Sequence, residues 1–191
     1  MPVFAPNPAW AQLQPGTQLP AAPRIYRPVG DFTLQDASGK EINRETMLGH
    51  IWVAHFFLIS CRGPCPAITA HIAGLLQKFP AKLNVQALGI TVDPEHDTPE
   101  RLREHAERLG ADVRRWHFAR TDAPAVRTVL TTAFRIPAAD DPQAHSTNLV
   151  LVDAAGKIRG YYSGLRSEDI ARLADDVRYL LNERAPEKQN Q

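Results

Sequence analysis

Cysteine is scarce in this 191-residue chain: there are two, Cys61 and Cys65, four residues apart. A pair so close cannot staple a fold, because the loop it would close is tiny. The two are either small buried hydrophobes or a chemical site. An excess of charge of one sign is lacking too. Lys and Arg number 22 against 21 Asp and Glu, a formal net charge of +1, which gives no electrostatic reason to invoke nucleic acid or an anionic membrane surface. No stretch approaches the ~18 apolar residues of a membrane-spanning helix. The start has no basic region followed by an apolar run, so it does not read as a secretory signal. No internal repeat is visible.

What is present suffices for a real core: 43% of residues are apolar, and the length suits one domain with tails. Residues 1–28 are rich in Pro, Ala and Gln, with Pro2, Pro6, Pro8, Pro15, Pro20, Pro23 and Pro28 preventing helix and central strand alike. They read as an extended arm or linker, with Phe4, Trp10, Leu13 and Ile25 available to pin it to the domain. The start, Met1-Pro2-Val3-Phe4, has a linker's composition, as if an anchor had preceded it. Residues 183–191 are polar and read as a disordered tail.

Between arm and tail the periodicity alternates. Asp31 to Gln35 alternates polar and apolar and runs into the turn Asp36-Ala37-Ser38-Gly39-Lys40, predicting a hairpin. Ile51–Leu58 and Leu83–Val92 read as strands buried on both faces. Residues 66–79 place Ile68, Ile72, Leu75, Leu76 and Phe79 on one helix face. Asp97-Thr98-Pro99-Glu100 is a capped helix start. A short strand at Trp116–Phe118, a helix over 123–134, a strand–turn–strand from Asn148 to Tyr162 and a closing helix over 167–181 follow. Strands alternating with helices imply a parallel core. The fold class is therefore α/β: a thioredoxin-like mixed sheet with flanking helices and an N-terminal β-hairpin, spanning residues 29–182.

The segment Phe56-Phe57-Leu58-Ile59-Ser60-Cys61-Arg62-Gly63-Pro64-Cys65-Pro66 takes a buried strand into a short loop and then into a helix opened by proline. The partial positive charge of a helix N-terminus favours thiolates, the form that attacks disulfides and binds metal. On a helical turn, residues four apart hold their Cβ atoms about 5–6 Å from each other. A disulfide prefers ~3.8 Å, so a bond needs adjustment, whereas two thiolates pinching one soft cation also fit. Sulfur with imidazole selects Cu(I) and also suits Cu(II) or zinc. Structural zinc usually has four protein ligands, and only two cysteines exist.

Seven histidines could add a third ligand. His55 lies inside a buried strand, His50, His71 and His105 read as surface residues, and His117 has no evident partner. His96 follows the second buried strand. His145 precedes Ser146-Thr147-Asn148-Leu149-Val150-Leu151-Val152-Asp153, in a loop that faces the cysteine turn in a thioredoxin-like fold.

Four segments together resemble the Sco (SenC) family of copper chaperones: the Cys61–Cys65–Pro66 turn; Val92-Asp93-Pro94-Glu95-His96-Asp97-Thr98-Pro99-Glu100; His145-Ser146-Thr147 with its strand; and Gly156-Lys157-Ile158 through Tyr162-Ser163-Gly164. The resemblance implies a copper site, Cu(I) or Cu(II), on Cys61, Cys65 and His145. It gives Asp93 a role in supporting the ligands or docking a partner. It further implies delivery of copper to, or thiol maintenance of, the copper A site in a subunit of cytochrome c oxidase. Another copper chaperone or a thiol reductase would be a further partner. Family members carry an N-terminal anchor and face the periplasm or the mitochondrial intermembrane space, so a periplasmic, membrane-tethered protein is expected. Arg62-Gly63-Pro64 departs from the family, which often has an acidic and an apolar residue there. A metal-free thiol–disulfide oxidoreductase using Cys61 and Cys65 is the competing reading. Peroxiredoxin chemistry is not supported: Pro-x3-Thr-x2-Cys would need proline and threonine at Leu58 and Arg62, or at Ala54 and Leu58.

Overall fold

The structure is a computed structural model that describes residues 21–142 and 145–184. Eight strands form one sheet: β1 (Arg27–Pro28), β2 (Thr33–Asp36), β3 (Glu41–Asn43), β4 (Ile51–Phe57), β5 (Val85–Thr91), β6 (Trp116–Arg120), β7 (Asn148–Val152) and β8 (Lys157–Ser163). Four α-helices cover it: α1 (Cys65–Lys78), α2 (Pro99–Arg108), α3 (Ala123–Thr128) and α4 (Ser167–Arg184). The strand order is β1-β8-β7-β4-β5-β6-β2-β3. β4, β5 and β6 are parallel, and β7, β8 and the hairpin β2–β3 join antiparallel. This is the expected thioredoxin-like mixed sheet with its N-terminal hairpin.

The alternation of β4 divides the core into two layers. Ile51, Val53 and Phe57 pack with Ile68, Ile72 and Leu75 of α1, Leu102 of α2 and Leu173 and Val177 of α4. Trp52, Ala54 and Phe56 face the opposite side, against Phe32, Leu130 and Phe134. Phe134 is the hub there, with its ring centroid 6.0 Å from Trp52 and 5.5 Å from Phe56. Every residue of β4 is buried, as a run apolar at every position but His55 predicts.

Three local features differ from the sequence reading. The helix expected over 123–134 becomes a π-turn at Val129–Ala133. The Thr131 and Thr132 hydroxyls donate to the carbonyls of Arg127 and Thr128 at 2.8 and 2.6 Å, and such back-bonding disturbs the regular ladder. The last helix continues past residue 181 to Arg184, because Glu183 pairs at 2.8 Å with the buried Arg159. In the arm, Ile25 is 57% exposed and pins nothing. The Arg159 guanidinium instead holds the Pro23 carbonyl at 3.2 Å, and the Tyr26 N–H donates to Ile158 O at 3.0 Å. Phe4, Trp10 and Leu13, like tail residues 185–191, lie outside the described residues.

The topology places the site. β4 ends at Phe57 and leads into the cysteine turn, and α1 starts at Cys65. β7 runs antiparallel to β4, Ala54 facing Val150 and Trp52 facing Val152. The residues that precede β7 therefore lie at the end of the sheet where β4 delivers the cysteines.

Candidate metal centre

The cysteine turn is held from below. Beyond β4, the Ile59 N–H donates to Asp97 Oδ2 at 3.1 Å, and the same oxygen accepts the Thr91 hydroxyl at 2.6 Å. The Cys61 N–H closes a turn onto Leu58 O at 3.2 Å. Pro64 caps α1 and Cys65 is its first residue. Cys61 is partly exposed and Cys65 buried, and both are free thiols.

His145, 7% exposed, arrives from the opposite side. Its backbone N–H donates to Pro142 O at 3.2 Å. Its ring Nδ1 lies 3.1 Å from Ser146 O. A carbonyl can only accept, so Nδ1 carries the proton and the Nε2 lone pair is free. Nε2 lies 3.0 Å from Cys65 Sγ, accepting the thiol proton. The ligand atoms of Cys61, Cys65 and His145 all lie within 4.8 Å of one another. Two soft sulfurs and an imidazole nitrogen, its tautomer fixed by a hydrogen bond on the far ring atom, suit copper.

The two thiols differ. Partial burial pushes Cys61 up, but its contact with the Cys65 side chain and the hydrogen bonds from the Cys65 and Gly63 N–H groups outweigh it and hold Cys61 below the ordinary thiol range. Burial pushes Cys65 up to about 12, with the Cys61 sulfur adding to the rise. The expected helix-terminus activation thus applies to Cys61 alone. His145 is held below the usual histidine value by burial, opposed by its bond to Ser146, so it is neutral and able to ligate at pH 7.

The remaining expectations divide. Asp93 does not join the group: its carboxylate pairs with exposed His96 Nδ1 at 2.7 Å. It does line, with His145, a cleft of about 250 Å³ whose walls include Glu95, Arg127 and Asp141. His55 is fully buried, and its Nε2 accepts the Trp116 indole N–H at 3.2 Å. Three histidines read as surface or unpartnered prove half-buried. His105 stacks on Phe57 at 5.5 Å, His71 bonds Gly164 O, and His117 meets Gln86 at 3.3 Å. His50, also read as a surface residue, is half-buried too and meets the Gln86 amide at 3.2 Å. Each partner is far along the chain, so no local pattern signals it. Asp97, which reads from the sequence as part of a helix start, is a neighbour of the site that no motif marks. Its one sequence signal is an acidic residue six positions beyond Thr91, at the end of a strand that runs out beside the cysteines. Beyond the thiols opens an apolar cavity of about 270 Å³, walled by Phe57, Ala70, Ala73, His105, Leu109 and Trp116.

The SCO1/SenC family model matches residues 22–182. The SCO1 protein homolog of Bacillus subtilis is 28% identical over 156 residues, covering 78% of this chain and 81% of its own. A Stutzerimonas stutzeri protein provisionally designated copper-binding is 26% identical over 165 residues, covering 83% and 79%. The solved structure of BsSco, described as a member of the Sco family of cytochrome c oxidase assembly proteins with a disulfide switch, aligns with a TM-score of 0.73 at 26% identity, covering 84% of this chain and 96% of that one.

Proposed function

The chain belongs to the SCO1/SenC family, and from that premise we propose that it is a copper chaperone that holds copper on Cys61, Cys65 and His145. The observation that carries the reading is the Nε2 lone pair of His145, freed by the bond to Ser146 and directed at Cys65. Copper is the cargo. Two thiolates and one imidazole bind it while the partly exposed Cys61 side stays open to a receiving protein. Loading displaces the thiol protons, including the one shared between Cys65 Sγ and His145 Nε2. The receiver is the cytochrome c oxidase subunit with the copper A site, to which the domain supplies copper or reducing equivalents. Assembly of that oxidase is the role stated for the family of BsSco. The half-buried Asp93, beside His145 in the acidic cleft, is a docking contact for this receiver, not a ligand. The domain works on the periplasmic side of a membrane; among the described residues no helix is long and apolar enough to cross one.

The test is a competition titration of the reduced protein with Cu(I) and Cu(II). One ion per chain is expected, with Cu(II) affinity reduced at least tenfold in His145→Ala. An unchanged affinity and spectrum in that variant would remove His145 from the site.

The pair also supports a second reading, a thiol–disulfide oxidoreductase, favoured by the inequality of the thiols. The Cys61 thiolate would attack a partner disulfide, release one partner thiolate and form a mixed disulfide. Cys65 would then displace the second partner thiolate and leave the Cys61–Cys65 disulfide. Turnover of a protein disulfide by the metal-free protein, undiminished in His145→Ala, would select this reading.

A further inference from the structure

His71 stands on α1, six residues beyond Cys65, and takes no part in the donor group. Its ring Nδ1 lies 2.9 Å from Gly164 O, and because a carbonyl only accepts, Nδ1–H is the donor. Gly164, in the segment between β8 and α4, turns its own N–H to Thr147 O at 2.8 Å. Thr147 is two residues beyond His145. A continuous path of two hydrogen bonds therefore runs from the helix that begins with Cys65 to the segment that bears His145.

Gly164 is also tightly enclosed between α1 and the 145–147 segment. A Cβ on it would lie 2.8 Å from Thr147 O and 2.9 Å from Ile68 Cγ1, which leaves no room for one. Ile68 is one helical turn before His71 and one turn after Cys65, so α1 presses on Gly164 and bonds it in adjacent turns. The segment 145–147 has no regular secondary structure, and no sheet ladder holds it until β7 starts at Asn148. Its placement against α1 falls to these contacts and to local turns.

We infer that His71 is a positioning residue of the metal centre: through Gly164 it sets the His145 segment at the separation from Cys65 that one ion requires. The inference rests on the Cys61, Cys65 and His145 reading given above. Its chemistry is that of outer hydrogen bonds around metal ligands, whose loss typically weakens metal binding by about 10–100-fold.

The experiment titrates reduced protein with Cu(II), reading affinity and the sulfur-to-copper charge-transfer band, in the native chain and in His71→Ala, His71→Asn, Gly164→Ala and His145→Ala. The asparagine amide places an N–H where Nδ1–H stands. His71→Ala is expected to lose about tenfold or more in affinity and to shift the band, and Gly164→Ala to shift it likewise. His71→Asn should restore both, although the two His71 variants melt alike without metal. The inference is overturned if His71→Ala binds within twofold of the native chain with an unchanged band while His145→Ala does not. It is equally overturned if His71→Asn is as impaired as His71→Ala. If His145→Ala itself leaves affinity and band unchanged, the ligand assignment fails, and that result is separable from the others.

Discussion

Cys61 and Cys65 stand four residues apart and are chemically unequal. Cys61 is partly exposed, with its thiol held below the ordinary range, whereas the buried Cys65 thiol is pushed up to about 12. Alkylation of the reduced, metal-free protein near pH 7 should therefore modify Cys61 first and Cys65 far more slowly, as mass-mapped time courses can show. Equal rates would mean that the turn opens in solution. Loading carries the same asymmetry: the proton held by Cys65 must leave, so copper affinity should rise as pH is raised. The thiol pair was legible because its signal is local, a strand running into a proline-opened helix, whereas His145 stood out among seven histidines only through the place of its loop in a thioredoxin-like fold and the resemblance to the Sco family. The roles of His71 and Asp97 were not legible. His71 reads as solvated on the helix periodicity, and its partner lies 93 residues away.

At the scale of elements, the cysteine turn is fastened to the sheet by one carboxylate. Asp97 is fully buried, and its Oδ2 serves both the Ile59 N–H and the Thr91 hydroxyl, tying the exit of β4 to the end of β5. Burial holds its carboxyl above the usual carboxylate range, against the bonds from Thr91 and Ile59. Asp97→Ala would leave two donors without a partner, a cost of roughly 2–4 kcal/mol, whereas Asp97→Asn keeps one oxygen for them and should cost less. Urea denaturation of the metal-free variants measures the difference, and equal stability of Asp97→Ala and the native chain would contradict it. The strands and long helices were readable from burial and periodicity, β4 above all. The π-turn after α3 was not, since it depends on where two threonine hydroxyls find their acceptors. The extension of α4 was hidden because it depends on Arg159, a buried cation that gathers Asp153, Glu183 and the Pro23 carbonyl.

For the whole molecule, histidines dominate the response to acid. Burial holds His55 down to about 3, with His105 and His145 adding to the effect. Burial also lowers His105, His117 and His145. A base whose folded value is depressed takes its proton first in the unfolded chain, so stability is full above pH ~6.5 and is lost as pH falls toward the folded value. For His55 alone the upper bound is about 5 kcal/mol. Asp97, raised in the fold, works in the opposite direction. Denaturation midpoints of the metal-free protein should fall steadily from pH 7 to pH 4, and a flat or rising profile would contradict the assignment of neutral buried histidines. The overall architecture, a parallel core with antiparallel strands and helices on both faces, was legible from the alternation of strand and helix patterns. The attachment of the hairpin beside β6 is a long-range choice with no local signature.

The central claim is that two sulfurs and one nitrogen of this chain hold a single copper ion. X-ray absorption on the reduced protein loaded with one equivalent of Cu(I) tests it most directly. The expected result is a first coordination sphere of two sulfurs and one imidazole nitrogen, with the nitrogen lost in His145→Ala. A shell of sulfur alone in the native protein, or failure to retain stoichiometric copper, would contradict it.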